Sequence, residues 1–246
     1  MMLVTVLSVA CNSDATIART IESVLNQTYG NIEYIIVDGV SSDRTVEVAQ
    51  SYIKAFEGRA GRSLRIISEP DGGMYDALNK GAKLAHGDII GSINTDDWYE
   101  PEAVAKMATF YDKEHYDIAW GNLRIIKRTG NMIKKARAGK RIWTTAGFCH
   151  PSMFATREIL MEYPYPCESL QDDFDMVTSV YLAKRKICTL NELIANFTFG
   201  GRSTRKSLKE TWKRIKLKYY IYRKHGMSRC YWFYSVAMET AKYILG

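Results

Sequence analysis

The 246-residue chain contains no apolar run of the roughly 20 residues that a transmembrane helix requires. Its first nine residues carry no basic segment and are too few for a signal peptide. Its five cysteines are an odd number and form no C-x-x-C pair, which argues against a disulfide framework or a zinc site. Unpaired cysteines are typical of a reducing compartment, so we expect a cytoplasmic protein.

Two glycine-rich phosphate-binding patterns are also missing. No G-x-G-x-x-G follows a predicted strand, which disfavours a dehydrogenase. The loop at residues 11–14 lacks the glycine-rich phosphate loop that a nucleotidyltransferase usually has near its first strand. A nucleotidyltransferase therefore stays only as an alternative. The composition is that of a globular protein, and the length allows a sizeable core.

Positive charge is unevenly distributed: the net charge is +7, and lysine and arginine crowd the region after Arg202. There they alternate with aromatic and aliphatic side chains in two predicted helices, separated by residues 226–228. Because basic, aromatic-rich amphipathic helices bind membrane interfaces, we expect residues 202–246 to hold the protein peripherally on anionic lipid at the inner face of the cell membrane. The alternative is a helical hairpin packed on the core. No nucleic-acid motif is present, so nucleic acid is not an expected partner.

The first hundred residues alternate between apolar, β-branched runs and helical patterns. The runs predict strands buried on both faces, at residues 3–9, 34–37, 64–67 and 89–93. This alternation predicts an α/β fold with a mostly parallel sheet, right-handed crossovers and flanking helices. A later helix is expected at residues 171–184, and further strands at residues 118–120, 123–127, 187–190 and 194–199.

Carboxylates follow three of these predicted strands: Asp38, Asp71 after a short turn, and the adjacent Asp96 and Asp97. The carboxyl ends of parallel strands share the ligand-binding edge of an open α/β sheet, so we expect these acids to converge. Adjacent carboxylates repel each other unless a cation or a proton lies between them. Their oxygens suit Mg²⁺ or Mn²⁺, which usually bind substrate phosphates as well. The pattern predicts a metal and phosphate site; a solvated Asp-Asp turn that caps the next helix is the alternative.

Six blocks, in order and with normal spacing, resemble the family 2 glycosyltransferases of the GT-A fold. They are LNQTY at 25–29, IIVDG at 35–39, EPDGGMYDALNKG at 69–81, GSINTDDW at 91–98, CHP at 149–151 and DDFD at 172–175. The set is specific, although no single block is. The resemblance predicts a GT-A domain at residues 1–201, a mostly parallel nucleotide-binding sheet with flanking helices, and a basic, aromatic helical extension at residues 202–246.

The resemblance implies an inverting transfer of a sugar from a nucleoside diphosphate donor, expected to be a UDP-sugar, to an acceptor hydroxyl. It implies a hexosyl- or N-acetylhexosaminyltransferase that acts on a glycan or lipid-linked sugar in cell-surface polysaccharide or lipid-linked oligosaccharide synthesis. Mn²⁺ or Mg²⁺ would neutralise the departing diphosphate. A catalytically inactive nucleotide- or carbohydrate-binding module of the same fold is the non-enzyme alternative. It would need neither a metal carboxylate nor a catalytic base.

The resemblance also gives roles to single residues on the nucleotide side. Asp38 would contact the base, Asp71 would lie beside the nucleotide, and Asp96 would lie near the ribose. Asp97 would bind the metal, with Asp96 as a further metal ligand. Cys11 stands where many members carry a tyrosine that stacks on the base, which leaves the identity of the base open.

On the acceptor side, Asp173 matches the family's catalytic base, which takes the acceptor proton as the hydroxyl attacks the anomeric carbon. Asp172 is its close rival, and the like charge of one could raise the pKa of the other. His150 would contact the diphosphate or the metal. Asn94 occupies the first position of the D-x-D-D pattern, so that position would not bind metal as a charged group.

Overall fold

A computed structural model describes residues 1–138, 147–200 and 207–245. Within these ranges nine strands form one mixed sheet that helices flank. The strands are β1 (Val4–Ala10), β2 (Ile32–Asp38), β3 (Arg62–Ser68), β4 (Ile89–Ser92), β5 (Trp98–Tyr99), β6 (Ile118–Ile126), β7 (Met132–Lys134), β8 (Met153–Thr156) and β9 (Ile187–Thr198). The helices are α1 (Ile17–Leu25), α2 (Thr45–Ser51), α3 (Ile53–Glu57), α4 (Met74–Leu84), α5 (Ala103–Glu114), α6 (Arg157–Glu162), α7 (Asp172–Leu182), α8 (Leu208–Lys224) and α9 (Tyr231–Leu245).

The first four strands form the parallel half of the sheet, in the order β3-β2-β1-β4. The strands β1, β2 and β4 are buried along nearly all their length, which explains their continuous apolar sequences. In register, Ala10 pairs with Asp38, and Asp38 pairs with Ser68. The carboxyl ends of these strands therefore lie at one edge, as the sequence predicts.

The remaining strands extend the sheet in the order β4-β8-β6-β9-β5, with antiparallel pairs between β4 and β8, β8 and β6, and β9 and β5. Two predictions were wrong here, because the two strands expected at 118–127 are the single strand β6 and the two expected at 187–199 are β9. A bulge at Gly121 and Asn122 keeps the two long strands paired across the polar interruption. A Cβ on Gly121 would lie 2.2 Å from Ile194 Cγ1, so the close approach of β9 requires glycine there.

The C-terminal helices α8 and α9 form a hairpin that packs against α7. Tyr222 of α8 is fully buried, and its ring lies edge-on to Phe174 of α7 at 5.1 Å. Inside the hairpin, Lys218 forms an ion pair with Glu239, and both side chains are almost completely buried. In the parts of the chain described above, no helix combines the length and the apolar character needed to cross a bilayer.

The hairpin thus packs on the rest of the chain, which is the arrangement that the sequence left as the alternative to a membrane-bound tail. A packed hairpin can still contact a membrane through its exposed face. The predicted boundary between residues 201 and 202 falls in the range 201–206, outside the described residues. The division into a domain at 1–201 and an extension at 202–246 stays a prediction.

Candidate active site

Asp38 ends β2 as a fully buried carboxylate whose two oxygens both have protein partners. Its Oδ2 accepts hydrogen bonds from the Ser41 backbone N–H at 3.0 Å and from Ser68 Oγ at 2.7 Å. The Ser41 hydroxyl donates to Oδ1. Asp38 therefore fixes the loop after β2 against the end of β3.

The loops that follow β1 and β2 are joined to each other. The Asn12 N–H donates to Ser41 Oγ at 2.8 Å, and the Ser42 N–H donates to Asn12 Oδ1 at 2.9 Å. Cys11 is exposed at this junction. Val40 is also exposed and has a φ of 55°, a strained conformation for a β-branched residue that is often found at functional sites. Sequence reasoning missed Val40, because nothing in its type signals a positive φ.

Asp71 lies against the loop after β2, as the predicted convergence requires. A Cβ at position 39 would come within 2.6 Å of Asp71 Oδ2, so Gly39 gives that carboxylate its space. The Gly73 N–H donates to Asp71 Oδ1 at 2.8 Å and holds it at the start of α4. The structure therefore brings Asp38 and Asp71 together at the strand edge.

The adjacent acids after β4 differ in burial. Asp97 is fully buried; its Oδ1 accepts a hydrogen bond from the Thr198 N–H at 2.8 Å, while its Oδ2 is buried with no partner among the described residues. Burial, and then the charge of Asp96, raise the pKa of Asp97 to about 8. Asp96 is partly exposed, and burial raises its pKa as well. Its backbone carbonyl accepts hydrogen bonds from Arg19 at 2.7 Å and from Thr198 Oγ1 at 2.6 Å.

The carboxylate oxygens of Asp96 and Asp97 are donor atoms that suit a hard divalent cation. The buried Oδ2 of Asp97 has no partner among the described residues, and it could bind a cation directly. Over the described ranges, no group of three or more His, Cys, Asp or Glu side chains is placed to hold a metal ion. A cation at Asp96 and Asp97 would therefore need ligands from a bound diphosphate or from water.

On the acceptor side, the first turn of α7 separates the two rival acids. Asp172 is buried, and its oxygens accept hydrogen bonds from the Glu168 N–H at 2.9 Å and from Ser169 Oγ at 2.7 Å. Asp173 is partly exposed, and its Oδ1 accepts a hydrogen bond from the Phe174 N–H at 2.8 Å. Asp172 is thus occupied in holding the preceding loop, whereas Asp173 is accessible.

A wall of three rings, Tyr75, Tyr165 and His150, lies beside Asp173. The tyrosine rings stack at 5.2 Å, and His150 Nε2 is 3.1 Å from the Tyr165 hydroxyl. Burial, and then the charge of Asp173, raise the pKa of both tyrosines. Burial lowers the pKa of His150 even though Asp173 opposes the shift, so the imidazole is neutral at pH 7.

Sequence reasoning found His150 and Asp173 but missed the two tyrosines. Tyr75 lies inside the block at 69–81, and Tyr165 lies between Pro164 and Pro166, so both had a local signal. Lys134 of β7 was missed too. Its ammonium donates to the Phe148 carbonyl, and burial lowers its pKa, while Asp173 is among the charges that oppose that shift.

Comparison with known proteins identifies the family. The model of the family described as "Glycosyl transferase family 2" matches residues 5–171, which is more than half of the chain. The chain belongs to this family. The match ends immediately before Asp172, so the first turn of α7 and the C-terminal hairpin of this family 2 chain lie beyond it.

Curated relatives match part of the family 2 chain. A PGL/p-HBAD biosynthesis glycosyltransferase of Mycobacterium bovis BCG is 31% identical over 148 residues, which cover 59% of this chain and 56% of the relative. A chondroitin synthase of Escherichia coli is 30% identical over 161 residues, which cover 63% of this chain and 23% of the relative. The chain thus spans about half of the mycobacterial relative and less of the larger synthase.

Solved structures confirm the predicted GT-A α/β fold. The structure of S. aureus TarS in complex with UDP has a TM-score of 0.71 and 16% identity, covering 100% of this chain and 72% of that one. The mannosyltransferase PcManGT of Pyrobaculum calidifontis, in complex with GDP-Man and Mn²⁺, has a TM-score of 0.69 and 15% identity. That similarity covers 98% of this chain and 74% of PcManGT.

Proposed function

We propose that this family 2 chain is an inverting glycosyltransferase that moves a sugar from a nucleoside diphosphate sugar to an acceptor hydroxyl. The observation that carries the proposal is the accessible carboxylate of Asp173, which lies beside the neutral His150 and two tyrosines at the start of α7. Asp173 would take the proton of the acceptor hydroxyl as that oxygen attacks the anomeric carbon. Asp172 lacks this freedom, because its oxygens hold the preceding loop.

The donor would bind along the strand edge. Asp38 would contact the base at the end of β2, where its hydrogen bonds also shape the loop, and the exposed Cys11 and Val40 would lie beside the base. Asp71 and Asp96 are partly exposed, and they would lie beside the nucleotide, with Asp96 near the ribose. A UDP-sugar is the preferred donor, and the TarS complexes with UDP and UDP-GlcNAc support that choice. A hexosyl or an N-acetylhexosaminyl group would be transferred.

Asp96 and Asp97 would hold Mn²⁺ or Mg²⁺, whose charge would stabilise the departing diphosphate. The unpartnered Oδ2 of Asp97 would bind the cation, and Asp96, the more accessible of the two, would be the further ligand. The Mn²⁺ complex of PcManGT supports the choice of cation. His150 would donate or accept a hydrogen bond at the diphosphate through its neutral ring, next to the tyrosine that orients it.

We further propose that the acceptor is a glycan or a lipid-linked sugar of cell-surface polysaccharide or lipid-linked oligosaccharide synthesis, reached at the inner face of the cell membrane. One exposed stripe of α8, at i, i+4 spacing, combines cations with large apolar side chains; its members are Leu208, Lys209, Trp212, Lys213, Lys216 and Tyr220. Such a stripe suits an anionic lipid surface.

Neutralising Lys209, Lys213 and Lys216 with glutamine tests the lipid contact. Each lysine near an anionic surface contributes about 1 kcal/mol, so binding to vesicles that contain phosphatidylserine should weaken on the order of 100-fold. A control removes three exposed lysines elsewhere and should bind like the natural chain: Lys54, Lys113 and Lys184. Equal vesicle binding by both triple variants would refute the assignment of this stripe.

The paired variants Asp173→Asn and Asp172→Asn test the catalytic assignment. Asp173→Asn should lower kcat by about 10²–10⁴-fold, the usual contribution of a general base, with UDP affinity unchanged. Asp172→Asn should lower thermal stability and leave most of kcat. The opposite pattern would make Asp172 the base. Donor binding without hydrolysis or transfer to any acceptor would instead support the inactive binding module.

A further inference from the structure

Three acids in the first turn of α7 face different surroundings. Asp172 accepts hydrogen bonds from the loop before the helix, and Asp173 lies beside His150 and the tyrosines. Asp175 is two residues further on, which is about 200° around the helix from Asp173. Asp175 therefore lies on the face of the turn opposite Asp173, the candidate base.

Asp175 is held by the end of α8. Its side chain is 3% exposed; its Oδ2 lies 2.9 Å from Lys224 Nζ, and its Oδ1 lies 2.5 Å from His225 Nε2. Lys224 also pairs with Glu168 at 3.3 Å, in the loop that Asp172 fixes. Burial alone would raise the pKa of Asp175, but hydrogen bonds from His225 and Lys224 lower it overall. We call these four residues, Glu168, Asp175, Lys224 and His225, the α8 clasp.

Two further contacts join α8 to the same turn. Phe174 packs edge-on against the buried ring of Tyr222. The Gln171 side-chain N–H donates to the Arg214 carbonyl at 3.5 Å. The turn is therefore held from the hairpin side at residues 171, 174 and 175, which flank Asp173 on both sides in sequence.

We propose that the C-terminal hairpin is a positioning element for the catalytic base, with Lys224 and His225 as the positioning residues. The inference rests on the proposed function of Asp173. The first turn of a helix is its least stable part, because its N–H groups lack intrahelical partners. Three neighbouring carboxylates also repel each other, and the clasp places the positive charge of Lys224 against Asp175. An ordered first turn keeps the Asp173 carboxylate at one place relative to the acceptor.

The test compares clasp variants with conservative replacements. Lys224→Met and His225→Ala break the clasp, whereas Lys224→Arg and His225→Gln retain a donor. Lys224 is one third exposed, and His225 still contacts Asp175 in Lys224→Met, so we expect this variant to fold even where His225→Ala does not. Arg223→Met is the matched control, since it removes the same charge one residue away and its guanidinium contacts the Met227 carbonyl instead of α7.

For each variant, kcat and the donor KM are measured in the presence of acceptor. UDP affinity and hydrogen exchange at residues 172–176 are measured as readouts that do not depend on turnover. We expect clasp variants to lose at least tenfold in kcat, because small displacements of a catalytic group can cost up to about 100-fold. Donor KM and UDP affinity should stay within about twofold, exchange in the turn should rise, and Lys224→Arg should recover most of the rate.

Three results would overturn the proposal. Faster exchange with an unchanged kcat would show that the turn can loosen without affecting the base. A joint loss of kcat, UDP affinity and thermal stability would show a general structural role. A natural chain that binds UDP but neither hydrolyses nor transfers the sugar would refute the proposed function itself, and the positioning role with it.

Discussion

The buried carboxylate of Glu239 allows a quantitative test of how the hairpin is held together. Three cations surround it: Lys218 contacts its Oε1, Lys242 lies 3.0 Å from the same oxygen, and Arg214 Nε lies 3.1 Å from its Oε2. Lys218 is 2% exposed. In Glu239→Gln the charge of this lysine would stay in the interior without its counter-ion.

Removal of one partner of a buried ion pair costs about 3–5 kcal/mol. Part of this cost comes from Lys218 itself, because a buried ammonium without a partner can lose its proton. At pH 7 that loss costs about 1.36 kcal/mol for each unit by which the pKa of Lys218 in the natural chain exceeds the pH. Burial already lowers the pKa of Lys218 to about 8 in the natural chain. The difference in the free energy of unfolding between Glu239→Gln and the natural chain should therefore become smaller as the pH rises from 7 towards 8.

Urea unfolding measures this cost, and hydrogen exchange over α8 and α9 shows whether the hairpin opens alone or with the whole chain. The control Glu210→Gln removes an acid of the same helix pair that forms an exposed ion pair with Lys213, and it should cost less than about 1 kcal/mol. The double variant Lys218→Met/Glu239→Leu should be close to the natural chain in stability, since it removes both charges. If Glu239→Gln cost no more than Glu210→Gln, the buried pair would not hold the hairpin.

Three further predictions concern the core and the site. Gly39→Ala should weaken UDP binding about tenfold, or about 1.4 kcal/mol, because its Cβ would displace the Asp71 carboxylate; an unchanged Kd in titration calorimetry would contradict this. Trp120→Phe should lower the free energy of unfolding in urea by about 2–3 kcal/mol, since the fully buried indole also donates a hydrogen bond to a backbone carbonyl; a loss below about 1 kcal/mol would refute it. The clasp lowers the pKa of Asp175, so its contribution to stability is present above the unfolded value near 3.8 and disappears as the pH falls through the lower folded value. In Asp175→Asn the free energy of unfolding should therefore fall less steeply as the pH is lowered. An equally steep fall in this variant and in the natural chain would show that Asp175 does not contribute to the acid sensitivity.

Sequence patterns predicted the parallel half of the sheet well, because strands buried on both faces carry continuous apolar runs. The run at residues 3–9 became Val4–Ala10, and the run at 34–37 lies within Ile32–Asp38. The antiparallel half was harder for a physical reason. Trp98 and Tyr99 form a strand only because β9 pairs with them from about 100 residues away, and the four residues of β8 lie between β4 and β6. Pairing over such distances leaves no local pattern.

The candidate site was predictable in its residue types but not in its contacts. The position of Asp38 and Asp71 after predicted strands was enough to expect that they converge. Asp172 and Asp173, in contrast, are identical in type and adjacent in sequence. Only the hydrogen bonds from the Glu168 N–H and the Ser169 hydroxyl distinguish them, and those depend on how the loop before α7 folds.

The most direct test of the central claim is thermal stabilisation by UDP, with and without Mn²⁺, in the natural chain and in Asp96→Asn. A ligand that binds only the folded state raises its stability by mass action. We predict a rise of the unfolding temperature with UDP that requires Mn²⁺ and that Asp96→Asn abolishes; GDP under the same conditions should give a smaller rise. No stabilisation by either nucleotide, with or without the metal ion, would contradict a nucleoside diphosphate sugar as the donor.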